Sequence, residues 1–310
     1  MLYSKCLNNL TIDNYIYSYL DKNLWKEIPT EYWFTQNNKK YYKPIDDIKT
    51  DYYPNSVLSK IKNNVCIIEK LFVDRLNFSD NCPEYCKPIT YKVLNGTIKK
   101  LNLKNKNNHL WFLKENNTAY SNGISIFNNI QDVKNNIDVK KKYVLQRNIT
   151  NMMLYKNKKF HIRTYLLVHY KNNIYYFYLY NDGIVIVSKN KWEHKNTNKD
   201  IQVTTSRVIN DSVDYKKTKL YSKLHKCIKK SKIDLIKNIS DKLDNNDNEC
   251  FDLYGFDYMF NKKNNPFILE VNYKPVIEEE NKKMIKDLTN IIFNNKSYKN
   301  TNFSLIYKTK

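Results

Sequence analysis

The sequence predicts a mixed α and β protein whose strands run antiparallel. Three observations carry this. Short runs rich in Tyr, Phe, Ile, Leu and Val recur between residues 109 and 188 and again between 250 and 273. Turn-like stretches, NDG at 181–183 and NKKNN at 261–265, join neighbouring runs, so those runs fold back as hairpins. One long segment, Ser222–Asp244, carries an apolar stripe at Leu224, Cys227, Ile228, Ile233, Leu235, Ile236 and Ile239. That is the spacing of an amphipathic helix.

The elements follow in order. Residues 1–73 read as helical and irregular, with apolar residues at roughly helical spacing over Ser56–Phe72, just after Pro54. LNFSDNCPEYC reads as a loop. HLWFLKENN (His109–Asn117) is a strand entering a loop, and KKYVLQRNI (Lys141–Ile149) is another short strand. KKFHIRTYLLVHY (Lys158–Tyr170) alternates and then becomes apolar. NNIYYFYLYNDGIVIVS (Asn172–Ser188) is expected to be a hairpin turning at NDG. After the long helix come two strands, CFDLYGFDYMF and PFILEVNYK, and a final helix over roughly Ile277–Asn294.

Length and composition bound the class. A chain of 310 residues with 41% hydrophobic and 14% aromatic content can bury a core. Tyr, Asn, Lys and Ile are heavily used, as a whole-sequence compositional bias would give. Lys and Arg number 53 against 31 acids, a net charge of +22. That favours acidic partners. A nucleic-acid role is the weaker reading, because the Lys is dispersed and no binding motif is present. Six Cys are present. Only Cys82 and Cys86 are close, and no second pair completes a zinc site, so reduced thiols are expected. No apolar core follows the N-terminus and no run approaches a membrane span. The expectation is therefore a cytoplasmic protein with no membrane partner.

PFILEVNYKP (Pro266–Pro275) raises the question of chemistry. Side chains two apart on a strand face the same way, so Glu270 and Asn272 share a face. The NKKNN turn lays GFDYMF beside them, which lets Asp257 join. Three oxygen donors on one face suit Mg²⁺. A charged, solvated sheet face is the competing reading, though both carboxylates sit in apolar runs where an unpaired charge is costly.

At this point the residues carry a resemblance. DLYGFDYMFNKKNNPFILEVNYKP (Asp252–Pro275) resembles the metal-binding hairpin of the tubulin–tyrosine ligase-like family, a branch of the ATP-grasp ligases. Other blocks follow in the family's order across roughly residues 50 to 290. WFLKENN resembles the strand with the phosphate-contacting lysine, here Lys114. TAYSNGISIF resembles the phosphate-covering loop, ending at Asn122, Gly123 and Ile124. VLQRNI resembles the adenine hinge, with Gln146, Arg147 and Ile149 in place and Asn148 departing from the usual Tyr. KKFHIRTYLLV resembles the strand that offers Lys159 and Arg163 to phosphates. Thr204 resembles the Thr of the family's His-Leu-Thr-Asn segment, and Lys62 aligns loosely with an N-terminal lysine near the nucleotide.

The resemblance implies an α+β ATP-grasp fold of antiparallel sheets flanked by helices, with a small N-terminal domain. Its implied parts are an N-terminal domain (1–73), a central domain (74–146) and a C-terminal domain with the metal hairpin (147–310). It implies ATP and Mg²⁺ as cofactors. The nucleotide would meet Lys114, Gln146, Arg147, Ile149, Lys159 and Thr204, the metal would meet Asp257, Glu270 and Asn272, and Arg163 and Glu270 would be catalytic. The implied reaction joins an amino-acid co-substrate to a carboxylate of an acidic protein tail, tubulin by analogy, through an acyl phosphate. Two departures touch the amino-acid half. His161 stands where the family has Asp, and Ile186 where an Arg is usual. Thr205 also replaces the Asn of the Thr-Asn pair. The alternative is a catalytically impaired relative that binds ATP or an acidic tail without ligating it.

Overall fold

The computed structural model describes residues 68–309 apart from 102–108, 117, 119–122, 205–210, 244–249, 274, 276–281 and 293–295. It also describes four short strands before these: β1 (Leu2–Tyr3), β2 (Lys26–Glu27), β3 (Trp33–Gln36) and β4 (Lys39–Tyr42). The expected helix from Ser56, Lys62, Asn122 and Thr205 lie outside the described residues, except that Glu69–Phe72 forms a short helix, α1.

LNFSDNCPEYC is not all loop. Arg75–Asn81 forms helix α2, because Asp74 caps it by accepting from the Asn77 amide at 2.8 Å. Strands β5 (Thr90–Leu94), β6 (Thr97–Ile98), β7 (Trp111–Glu115), β8 (Ile124–Phe127) and β9 (Tyr143–Arg147) form one sheet in the order β6-β5-β9-β7-β8. Helix α3 (Ile130–Asn135) covers one face through Val133, against Trp111, Leu113, Tyr143 and Leu145. Phe112, Lys114 and Gln146 alternate with these and point the other way.

The second sheet has β10 (Lys158–Lys171), β11 (Ile174–Lys191), β12 (Asp211–Asp214), β13 (Cys250–Phe260) and β14 (Pro266–Tyr273) in the order β12-β11-β10-β13-β14. A last strand, β15 (Phe303–Lys308), also pairs with β11. Every pairing in both larger sheets is antiparallel. Between β11 and β12 lies the short helix α4 (Lys199–Gln202). Helix α5 (Lys219–Ile239) lays Leu224, Ile228, Leu235, Ile236 and Ile239 on the face that carries Phe160, Ile162, Phe256 and Tyr258. Helix α6 (Lys282–Ile292) covers one end of the opposite face, over Tyr165, Leu167, Phe251 and Leu253. The other end of that face is left for the first sheet, and the cleft lies there. This is the α+β, ATP-grasp-like architecture of antiparallel sheets flanked by helices.

The expected turn at NDG is not a turn. Strand β11 runs straight through it, and the chain reverses earlier, at Asn172 and Asn173, whose φ angles are 52° and 60°. Two consecutive residues at positive φ make the tight turn that matches strand twist, and Asn tolerates it. NDG is absorbed as a bulge: pairing shifts from Thr164↔Gly183 to Leu166↔Leu179. The thiol expectation holds only in part. Cys82, Cys86 and Cys227 are free, while Cys250 is disulfide-bonded.

Candidate functional site

The site is built on one row of residues across three strands. Arg163 on β10 stands opposite Asp257 on β13, and Asp257 stands opposite Glu270 on β14. Asn272 pairs with Gly255, one step along the same face. A register shift after Asp257 leaves Leu269 unpaired on β14. The expected meeting of Asp257, Glu270 and Asn272 on one sheet face is therefore what the pairing places.

Asp257 is 1% exposed and ion-paired. Arg163 grips it with two donors, Nε to Oδ1 and Nη2 to Oδ2, the latter at 2.9 Å. Burial opposes the charge, but Arg163 and then His161 outweigh it and hold this carboxyl below the usual range. Two of the chain's four glycines make room for Arg163. A Cβ on Gly255 would meet Arg163 Cδ at 3.0 Å, and one on Gly183 would meet the Arg163 carbonyl oxygen at 2.3 Å. The guanidinium is thus turned onto Asp257, and Arg163 does not line the cleft below.

Lys159, His161 and Arg163 lie two apart on β10 and share a face, while Phe160 and Ile162 enter the core under α5. The Lys159 ammonium donates to the Gln202 carbonyl at 2.6 Å and sits 4.9 Å from the Phe112 ring centre, so it bridges toward the first sheet. Burial pushes it down to about 7, helped by Lys114. Lys114 itself is pushed by burial to about 8, with Glu270 opposing the shift and Arg75 adding to it. His161 Nδ1 lies 2.5 Å from Thr204 Oγ1, and its Nε2 is 3.6 Å from Asp257 Oδ1 and makes no hydrogen bond among the described residues. Opposite His161 stands Ile186.

Lys114, Lys159, His161 and Asp257 border a cleft between the two sheets. Of the residues singled out from sequence, Lys114, Gln146, Arg147, Ile149, Lys159, Thr204, Asp257 and Glu270 all line it. Gln146 donates to Thr90 Oγ1 at 3.3 Å. The Arg147 guanidinium instead contacts His109 and stacks 5.9 Å from the Trp111 ring centre, on the sheet's other face. Asn272 lines an adjoining cavity, which shares Lys114, Gln146, Leu269 and Glu270 with the first.

One residue escaped the sequence reading. Arg75, at the start of α2, donates to the Glu115 carbonyl and to Thr118 Oγ1 at 3.0 Å, and pairs with Glu270 Oε2 at 3.4 Å. A signal for it existed. The chain has four Arg among 53 basic residues, and a Lys-biased sequence that keeps an Arg marks a place where a planar, multi-donor fork is needed.

The donor set fits Mg²⁺. Among the described residues no three His, Cys, Asp or Glu gather as a closed metal cage. Two carboxylates and the Asn272 amide, whose nitrogen donates to Asp257 Oδ2 at 3.4 Å and so leaves its oxygen available, are a partial oxygen set. Magnesium is held by such partial sets, completed by water and phosphate oxygens.

The sequence matches the family model described as the tubulin-tyrosine ligase family over residues 47–226 and 192–302. The chain belongs to this family. Tubulin-tyrosine ligase family proteins are amide-bond-forming ligases that generally use ATP and Mg²⁺. The chain is 22% identical to tubulin glycylase 3F of Tetrahymena thermophila, over 88% of this chain and 36% of that protein. It is 26% identical to tubulin glycylase 3D of the same organism, over 61% of this chain and 21% of the relative. It is also 26% identical to a probable tubulin polyglutamylase of Caenorhabditis elegans, over 66% and 53% respectively. The chain thus spans only about a fifth to a half of these relatives' lengths. No helix among the described residues is long and apolar enough to cross a membrane.

Proposed function

We propose that this chain is an ATP- and Mg²⁺-dependent ligase that joins an amino acid to a carboxylate of an acidic protein tail, tubulin by analogy with its relatives. One observation carries the reading. Residues as far apart in sequence as Lys114, Lys159, Thr204 and Glu270 line a single cleft, whose walls hold two desolvated lysines and two carboxylates. The net charge of +22 suits an acidic acceptor.

In this reading adenine lies against Gln146 and the chain from Arg147 to Ile149, on the apolar floor that Phe112 and Met259 supply. Lys114 and Lys159 face the phosphates. Both are held low by burial, and an arriving anion restores their charge where it is needed. Asp257, Glu270 and Asn272 would hold Mg²⁺, which would supply neutralisation of phosphate charge there. Arg163 acts on Asp257: it keeps that carboxylate ionised and fixed. An acceptor carboxylate oxygen attacks the γ-phosphorus, the bond to ADP breaks, and ADP leaves with the electron pair. The amine of the incoming amino acid, its ammonium proton given to water, then attacks the acyl carbon; phosphate leaves with the C–O bonding pair, and the second proton passes from the nitrogen to that phosphate. Positioning and charge neutralisation do most of this work.

His161 and Ile186 favour attention to a second reading. They face each other across β10 and β11 on the cleft side of the sheet, an imidazole against an aliphatic chain. An altered amino-acid pocket fits either a different added amino acid or a binding protein that no longer ligates. The deciding experiment is peptide mass spectrometry of tubulin and acidic tail peptides after incubation with the chain, Mg-ATP and mixed amino acids, beside Glu270→Gln. A mass increment absent from the variant supports ligation and identifies the amino acid. No increment with the native chain, while Mg-ATP still binds, favours the binding protein.

A further inference from the structure

Among the described residues, Arg75 is the one guanidinium that touches both the metal hairpin and the end of β7. Its Nη1 serves the Glu115 carbonyl and Thr118 Oγ1, and its Nη2 serves Glu270 Oε2. Its side chain is 12% exposed. The residue before it works in the same direction. Asp74 caps α2 with one carboxylate oxygen and accepts from Asn116 Nδ2 at 2.8 Å with the other. Gly123 closes on the same spot. The Glu115 amide donates to the Gly123 carbonyl at 2.8 Å, and a Cβ on Gly123, at φ +69°, would meet Thr118 Oγ1 at 2.9 Å. Glu115, Thr118 and Gly123 therefore meet at one place, where Arg75 holds Glu115 and Thr118. Glu270 has no other ion pair among the described residues. A lysine could not do this, because one ammonium lacks the fixed fork that reaches a carbonyl, a hydroxyl and a carboxylate together.

We propose that Arg75 is a positioning residue that latches Glu115 and Thr118, at the end of β7, to the Glu270 carboxylate, so that this strand end and the metal ligand are set as one unit. The inference rests on the proposed nucleotide and Mg²⁺ site for its functional meaning. Its physical content, the latch, stands apart from that reading. Outer partners that orient a metal-binding carboxylate are worth roughly 10- to 100-fold in metal affinity.

The test compares the native chain, Arg75→Gln and Arg75→Lys. Hydrogen exchange without nucleotide is read over residues 111–127, with β10 and β13 as internal references. ATP binding is read by calorimetry across a Mg²⁺ titration. The expected result for Arg75→Gln is faster exchange over 111–127 only, an apparent Mg²⁺ requirement raised roughly 10- to 100-fold, and unchanged affinity for ATP without Mg²⁺. Arg75→Lys should match Gln in exchange and recover part of the Mg²⁺ response, since it restores charge without the fork. If Arg75→Gln does not fold, Arg75→Lys carries the exchange test. Native exchange over 111–127 in a folded variant overturns the latch. Equal loss of ATP affinity with and without Mg²⁺ also overturns it, because that marks a direct phosphate contact. If the native chain binds no ATP, the proposed function falls, and exchange alone still decides the latch.

Discussion

Asp257 and Glu270 are given the same role toward Mg²⁺, yet their replacement should affect the fold very differently. Asp257 is 1% exposed, and both of its oxygens are taken by Arg163. Asp257→Asn leaves a buried guanidinium facing an amide that can accept only one of its two bonds. Breaking one side of a buried pair costs about 3–5 kcal/mol, because the partner's charge stays behind. Glu270 is 21% exposed, and its one ion pair among the described residues is the 3.4 Å contact with Arg75. Glu270→Gln should cost under about 1 kcal/mol, the scale of a partly exposed pair. Urea unfolding measures both, with Mg-ATP binding read on the same samples. Both variants should lose Mg²⁺-dependent binding, and only Asp257→Asn should shift the unfolding midpoint strongly. Equal midpoints would refute the argument that the Arg163 pair is fixed by burial and geometry. Native Mg²⁺-dependent binding in Glu270→Gln would remove its assignment as a metal ligand.

Two further outcomes follow from the buried lysines. Lys159 is held at about 7 by burial, and an anion in the cleft raises it, so nucleotide binding takes up a proton. ATP affinity should therefore be highest below pH 7 and fall as pH rises toward 9, by up to about tenfold per unit. Lys159→Arg, charged throughout that range, should flatten this part of the profile in calorimetry from pH 6 to 9. Lys232, on α5, is fully buried, 4.1 Å from the Phe256 ring centre, and its amine has no hydrogen-bond partner among the described residues. Lys232→Met removes a buried, unsatisfied donor and should stabilise the chain by about 1–3 kcal/mol in urea. A loss of stability would mean that the amine is satisfied.

The hairpin was legible because it is local. A period of two on each strand and a short turn between them fix which side chains meet, and Asp257 and Glu270 came out opposite each other. Lys114, Lys159 and Thr204 were not related by any local pattern, and only the resemblance joined them. Three things were missed for physical reasons. Asn172–Asn173 and Asn181–Asp182–Gly183 are both turn signals, and which one turns depends on the register that buries alternate residues of β10 and β11. The helix at Arg75–Asn81 is seven residues long, too short to show a period, and is marked mainly by the Asp74 cap. Arg75 meets Glu270 across 195 positions of sequence, a pairing that spacing cannot reveal. Arg163 was read as a phosphate contact, and the folded chain gives its guanidinium to Asp257.

The alternation on β10 has a consequence for how this site can change over time. Lys159 and His161 face the cleft, Arg163 turns from the same face onto Asp257, and Phe160 and Ile162 fill the core behind them. One deleted or inserted residue within 158–163 would exchange the two sets, driving charges into the core and rings into the cleft. The strand behaves like a reading frame: single letters can be replaced, but none added or dropped. Divergence in this stretch is therefore confined to substitution in place.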